Sequence, residues 1–303
     1  MEFNGHRVNL ISASKFHFTF FISGTHSESL ERLETILQNE TPLSSQIFLP
    51  YLSEEPNSFQ AQWMSTDFTL DTLSLRFLAR NGEIVDVPLV ALMEERISSA
   101  KTEIMSQRFI ADVNSKVPSP QLLDLGGRDR SRIDRSALFP GARCTVLDIF
   151  PGDNVDVVGD AHELSKFFPA NYFDFIYCVS VFEHLFMPWK VVLEMNRVLK
   201  KGGRAYVATH QTIGVHDMPW DFWRFSTWTW DALFNRFTGF KILEREMDRE
   251  QYVIPFVLTS SKLDAEKSAG FESTVVLVEK IGRTRLRWPV KLARVLSTSY
   301  PRA

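Results

Sequence analysis

The chain has 303 residues, more than one typical domain of roughly 100 to 200 residues requires, so two domains are expected. A hydrophobic fraction of 44% suffices for proper cores, and a formal net charge of -3 gives no global signal for a nucleic-acid or membrane protein. Only Cys144 and Cys178 occur, both in apolar runs, which argues against a disulfide framework and fits a reducing cytoplasm. The first residues lack the charged start and apolar core of a signal segment, and no run nears the roughly 20 apolar residues that span a bilayer. A soluble, cytoplasmic protein is expected.

Residues 1–88 read as a small β-rich, sandwich-like domain. In Phe16-His17-Phe18-Thr19-Phe20 the aromatics share one face, as a half-buried strand requires, and Phe59 to Trp63 repeats the alternation. Asn81-Gly82, between two alternating runs, signals a type I′ hairpin, whose two central residues need positive φ. A helix is expected over 27–38, opened by a capping box from Thr25 to Glu28. The scattered His6, His17 and His26 show no ligand spacing.

Residues 89–119 connect. Leu89, Met93, Ile97, Ala100, Ile104 and Phe109 recur near the helical period, predicting one amphipathic helix that Val117-Pro118-Ser119-Pro120 terminates. The second domain, 120–282, opens with Gln121-Leu122-Leu123-Asp124-Leu125-Gly126-Gly127, a buried strand ending in a glycine turn that lets the backbone approach a ligand closely. A helix is expected from near Ser131. The dinucleotide fingerprint does not fit, because Arg128 and Asp129 or Arg130 stand where further glycines belong. A second strand, 143–149, ends in Asp148, placed to accept bonds from two ribose hydroxyls. Further strands follow at 155–158, closing in Gly159-Asp160-Ala161, and at 173–179, followed by Ser180-Val181-Phe182-Glu183-His184. A helix over 189–199 should end in Lys200-Lys201-Gly202-Gly203, with cations at the negative end of its dipole. Strands at 205–209, 240–246 and 274–280 complete the set.

Asp124-Leu-Gly-Gly-Arg128 resembles motif I of the class I S-adenosylmethionine-dependent methyltransferases. The strand-end Asp148, Gly-Asp160-Ala161, Phe-Asp-x-Ile followed by Phe-Glu-His184, and Arg-Val-Leu-Lys-x-Gly-Gly before a strand resemble that family's later landmarks in order. Arg128 departs from the pattern, where the family usually has a glycine. The resemblance covers about 120–282 and is to the group common in polysaccharide and glycan biosynthesis. It implies an α/β fold with a Rossmann-like seven-stranded sheet, mostly parallel with the last strand antiparallel, and S-adenosyl-L-methionine as cofactor. It further implies that Asp124 answers the methionine ammonium, Gly126 and Gly127 make room for the ligand, and Asp148 holds the ribose. Asp160 and Ala161 would border the adenine, and Val179 and Ser180 the methionyl side. Asp160 also reads as a helix N-cap. Arg128 is a candidate grip on the cofactor carboxylate.

Methyl transfer from a sulfonium needs no metal, and no metal site is expected; a hydroxyl acceptor gains from a general base, for which histidine is suited. His216 leads, with Asp217 to orient it, and His210 follows. His216-x-x-Pro-x-Asp-Phe-Trp-Arg-Phe resembles a block found after the fifth strand in methyltransferases of polysaccharide biosynthesis. Trp220 and Trp223 are candidate sugar-stacking faces, Asp221 and Arg224 candidate hydroxyl or carboxylate partners, and His184 a further acceptor-side residue. An aromatic lid with Asp221 and Arg224 paired is the other reading of the same block. The tail, 283–303, carries Arg283, Arg285, Arg287, Lys291, Arg294 and Arg302 without an acid, a candidate for weak contact with an anionic membrane surface. The expected activity is O-methylation of a sugar or glycan intermediate. Another small metabolite, a lipid acceptor, or a non-catalytic scaffold that keeps the fold stay open, and no nucleic-acid partner is expected.

Overall fold

A computed structural model describes residues 1–44, 46–48, 57–65, 69–129, 135–255, 257, 259–262, 269–288 and 295. The chain divides into two compact units, Met1–Ala100 and Lys101–Ala303. The helix expected from Ser131 and most of the basic tail lie outside the described residues. Among the described residues no helix is long and apolar enough to cross a membrane.

The first unit holds two antiparallel sheets. One runs in the order β1 (Glu2–Phe3), β2 (His6–Phe16), β3 (Thr19–His26), β7 (Ser58–Met64), β6 (Gln46–Phe48). The other runs β5 (Thr41–Pro42), β4 (Leu30–Gln38), β8 (Leu73–Ala79), β9 (Ile84–Pro88). Alternate residues of β7 and β8 are buried, so Phe59, Trp63, Leu75 and Phe77 enter one core, which Leu89 and Leu92 of helix α1 (Leu89–Ser98) complete.

Three local expectations fail here for identifiable reasons. Residues 30–38 form a strand, not a helix: Leu30, Leu33 and Ile36 are buried at a spacing of three because the pairing with β8 slips between Leu30 and Arg32 and again between Leu33 and Thr35. Each irregularity absorbs one residue, so a helix-like spacing lands on one strand face. Residues 16–20 are a hairpin tip: Phe16 ends β2, His17 turns with φ 52°, and Phe16 and Phe18 are exposed. At Asn81-Gly82 the hairpin is real, but only Gly82 has positive φ (83°) and its N–H donates to the Ala79 carbonyl, the pattern of a type I turn with a glycine bulge.

The single helix expected over 89–109 is two, α1 and α2 (Lys101–Ser115). The second unit is a seven-stranded sheet in the order β12 (Val157–Val158), β11 (Arg143–Asp148), β10 (Gln121–Leu125), β13 (Phe173–Val179), β14 (Leu199–His210), β16 (Ala269–Lys280), β15 (Phe240–Tyr252). Pairing is parallel from β12 to β14, and β16 is antiparallel to both neighbours. Both faces are covered, as a parallel sheet requires. Met105, Phe109 and Val113 of α2 pack on Leu122, Phe175 and Tyr177. The opposite face carries Leu123, Leu125, Ile176 and Cys178 against Val191, Val192 and Met195 of α4 (Pro188–Val198). Short helices α3 (Leu164–Phe167) and α5 (Thr229–Leu233) add to that side. The glycines after α4 do not cap it: β14 begins at Leu199, Lys200 to Gly203 bulge out of the ladder with β13, and Lys200 Nζ pairs with Asp174 at 2.8 Å. Strand order reverses between β10 and β13, which opens a crevice beyond their carboxyl ends.

Candidate active site

The glycine turn lies in that crevice. Gly126 turns with φ 74° and donates its N–H to the Leu147 carbonyl at 2.7 Å. A Cβ there would lie 2.3 Å from Val181 Cγ2, and one on Gly127 would lie 2.3 Å from Asp124 Oδ2, so neither position has room for a side chain. Asp124 is 1% exposed beneath Gly127, and burial pushes its carboxyl up to about 6 despite the opposing pull of Arg135. Arg135 Nη1 stands 3.7 Å from Asp124 Oδ1, too far for a hydrogen bond, and both atoms are buried without a hydrogen-bond partner. Arg135 Nη2 donates weakly to the Val179 carbonyl at 3.4 Å. An acceptor and a donor, side by side and unsatisfied, flank the end of β10.

One βα unit on, Asp148 closes β11. Its Oδ1 accepts from the Phe150 N–H at 2.9 Å and faces Arg128 Nε at 3.4 Å, which leaves Oδ2 for a ligand. Arg128 therefore sits on the expected ribose carboxylate, with its guanidinium over the Phe150 ring, and Arg135 is the cation beside Asp124. Asn154 ties the two loops together, donating to the Gly127 carbonyl and accepting from the Asp129 N–H. Asp160 is engaged locally: Oδ1 accepts from the His162 N–H at 2.9 Å and from His162 Nδ1 at 2.6 Å, while His162 Nε2 accepts from the Met187 N–H. The N-cap reading of Asp160 thus describes its contacts, and Ala161 beside it is buried.

On the far side of the crevice Ser180, which follows β13 with φ 56°, places Oγ 3.3 Å from His210 Nε2 at the end of β14. Glu183 is fully buried beneath them. Thr209 Oγ1 donates to Glu183 Oε2 at 2.5 Å, whereas Oε1 takes no hydrogen bond and faces His210 Nε2 at 3.4 Å and His184 Nε2 at 3.8 Å. The Glu183 carbonyl accepts from Phe222 and Trp223 N–H groups, which ties the aromatic block to this point. The His216 ring stands 4.9 Å from that of His184 and 6.0 Å from that of His210. Three histidines from distant positions thus surround one buried carboxylate.

Two expectations for the block change. The carboxylate facing His216 is that of Asp221, 3.5 Å from Nδ1, and Asp217 (φ 51°) places Oδ2 3.9 Å from His184 Nε2. Asp221 and Arg224 are engaged with each other instead of standing ready for an acceptor: two bonds of 2.6 and 2.7 Å join them, and Arg224 also donates to the carbonyls of Ile213, Gly214 and Trp223. Of the tryptophans, Trp230 is core, stacked on Phe225, and exposed Trp228 lies under Arg245. Trp223 is exposed, with Nε1 donating to the Leu185 carbonyl, and the Trp220 carbonyl accepts from His184 Nδ1.

A family model described as a methyltransferase domain matches residues 135–207. Comparison with curated proteins gives no match. Among solved structures, the chain is similar to a SAM-dependent methyltransferase from Archaeoglobus fulgidus, at 15% identity and TM-score 0.44, over 63% of this chain and 99% of that one. It is similar to 1,6-didemethyltoxoflavin-N1-methyltransferase from Burkholderia thailandensis, solved with 1,6-didemethyltoxoflavin and S-adenosylhomocysteine, at 17% identity and TM-score 0.41, over 68% and 96%. The N-methyltransferase NodS from Bradyrhizobium japonicum WM9, in complex with S-adenosylhomocysteine, gives 13% identity and TM-score 0.38, over 62% and 91%.

Proposed function

We propose that this chain is a class I S-adenosylmethionine-dependent methyltransferase that methylates a hydroxyl oxygen of a sugar or glycan intermediate. The observation that carries the reading is the unsatisfied pair under the glycine turn. A buried carboxylate oxygen of Asp124 beside a buried guanidinium nitrogen of Arg135 complements a zwitterionic amino acid, ammonium to the acid and carboxylate to the cation. Asp148 Oδ2, one strand away, suits vicinal ribose hydroxyls. The methyltransferase-domain match over 135–207 supports the same assignment. When bound, the cofactor supplies an electrophilic methyl group.

The chain's own task is orientation and proton removal. Ser180, His184, His210 and His216 line the side where an acceptor hydroxyl would enter, and His216 takes its proton. Trp220 and Trp223 offer aromatic faces to a sugar ring. The two unpaired cysteines fit the cytoplasm, where activated sugars are built.

Calorimetric titration with S-adenosylmethionine, followed by a screen of sugar nucleotides and cell-wall glycans with labelled cofactor, tests the reading. Saturable binding is expected; a folded chain that gives no heat of binding refutes it. Asp148→Ala should raise the dissociation constant by at least about 10-fold, about 1.5 kcal/mol, through lost charged bonds. Arg128→Ala should raise it less, because that change only unpins Oδ1. An unchanged constant in folded Asp148→Ala removes the ribose assignment.

A pH dependence follows from Asp124. Its folded-state pKa is raised to about 6 against an ordinary 3.8, so it is ionised above about pH 6 and protonated below. Only the ionised form pairs with an ammonium, so affinity should be full above pH 7 and decline as pH falls through about 6. Arg135→Ala should weaken binding at every pH. Affinity constant from pH 8 to pH 5 would show that Asp124 does not meet the ligand's charge.

A further inference from the structure

We infer that Glu183, His184 and His216 form a binding site for a divalent transition-metal cation at the acceptor side of the crevice. One donor atom from each of the three lies within 4.8 Å of the other two. A tetrahedral centre with bonds of about 2.0 to 2.1 Å sets its donors roughly 3.3 Å apart. Rotation of two half-exposed imidazoles toward a buried carboxylate covers that difference.

Each residue already has the outer contacts that a ligand needs. His184 Nδ1 is 2.7 Å from the Trp220 carbonyl and His216 Nδ1 is 3.0 Å from the Gly214 carbonyl. A carbonyl only accepts, so both rings carry their proton on Nδ1 and present a lone pair at Nε2. Metal-binding histidines are oriented in this way, with the second ring nitrogen donating to a carbonyl. Glu183 supplies the charge. It is fully buried, Thr209 fixes Oε2, and Oε1 is left without a hydrogen bond, a state that costs free energy unless a cation satisfies it. His210 Nε2, 3.4 Å from the same oxygen, can support the carboxylate from its other lone pair.

Two imidazoles and one carboxylate suit zinc, cobalt or manganese and leave coordination positions open. For catalysis the inference rests on the methyltransferase reading. There a cation would lower the pKa of an acceptor hydroxyl and the proton would pass to solvent water, with His216 a ligand; in the cation-free chain His216 is itself the base.

The test uses the full chain, stripped with chelator and then titrated with Co2+ followed by optical absorption, and with Zn2+ in competition with a chromophoric chelator. One equivalent is expected, and His216→Ala and Glu183→Gln should each weaken it by at least about 10-fold. His17→Ala, at an exposed hairpin tip, should leave it unchanged. His216 is half-exposed, so its variant remains informative if Glu183→Gln fails to fold. Absence of a bound equivalent, or an equivalent that His216→Ala does not weaken, overturns the site. Cofactor titration separates the two readings. A chain that binds S-adenosylmethionine but no cation loses the cation site alone, and one that binds the cation but no S-adenosylmethionine loses the methyltransferase reading alone.

Discussion

Replacing His216 by alanine should lower turnover by roughly 100-fold or more while leaving cofactor affinity nearly intact. The separation follows from position. His216 is anchored in the 213–224 loop by its Nδ1 contact to Gly214 and its backbone N–H to Asp221, and it faces His184 and His210, whereas the glycine turn and Asp148 belong to other strand ends and Arg135 to a 3-10 turn at Arg135–Leu138. His210→Ala should do less, since His210 lies against Glu183 and Ser180 as a supporting group. Steady-state rates paired with calorimetric dissociation constants decide the matter. A larger loss in His210→Ala would move proton removal to that ring, and near-normal rates in both variants would leave acceptor orientation as the whole mechanism.

The second large effect is expected at Arg224. The Asp221 side chain is 2% exposed and keeps its charge because Arg224 grips both oxygens and the His216 N–H adds a third bond. Arg224 first, then that N–H, hold its carboxyl well below the usual carboxylate range. A depressed folded-state pKa means that the pair stabilises the fold above about pH 4 and that the contribution fades as pH falls through the folded value. Arg224→Ala strands a largely covered charge and should lower stability by about 2 kcal/mol at pH 7, the scale of lost charge-assisted hydrogen bonds in a pair whose cation is partly exposed. The deficit should shrink at pH 4, where the orphaned acid takes up a proton. Urea unfolding at the two pH values measures it, and a loss under about 1 kcal/mol at pH 7, or an equal loss at both, contradicts the argument. Turnover should fall as well, because the same pair fixes the His216 backbone.

Strands of the second unit were legible because a sheet covered on both faces demands predominantly apolar runs, and Leu122 to Leu125 and Phe173 to Val179, each with a single acid, supply them between glycine and proline stops. Residues 30–38 were not legible, since two slips in register give a strand the spacing of a helix, and slips leave no mark in a single sequence. The crevice shows a parallel division. Asp124, Gly126, Gly127 and Asp148 sit at strand ends, where position alone suggests a role. Arg135 and Asn154 acquire theirs through contacts 11 and 27 residues away, at Asp124 and Gly127 respectively. Glu183, His184 and His216 come from two connections of the sheet, so no short spacing announces them. In the aromatic block, sequence offered both an acceptor site and a paired lid, and the bidentate contact of Asp221 with Arg224 follows the second.

Ser180 and Asp217 hold their backbones in the left-handed region, at φ 56° and 51°, where glycine would rest without steric penalty. Each side chain there forgoes about 1 kcal/mol of folding free energy. Both positions face the histidine cluster, Ser180 through its hydroxyl to His210 and Asp217 through its carboxylate toward His184. A chain tuned for robustness alone would carry glycine at both places. This one carries a hydroxyl and a carboxylate at the mouth of its crevice instead, so glycine replacements at 180 and 217 should relieve the backbone while stripping the histidine cluster of both groups.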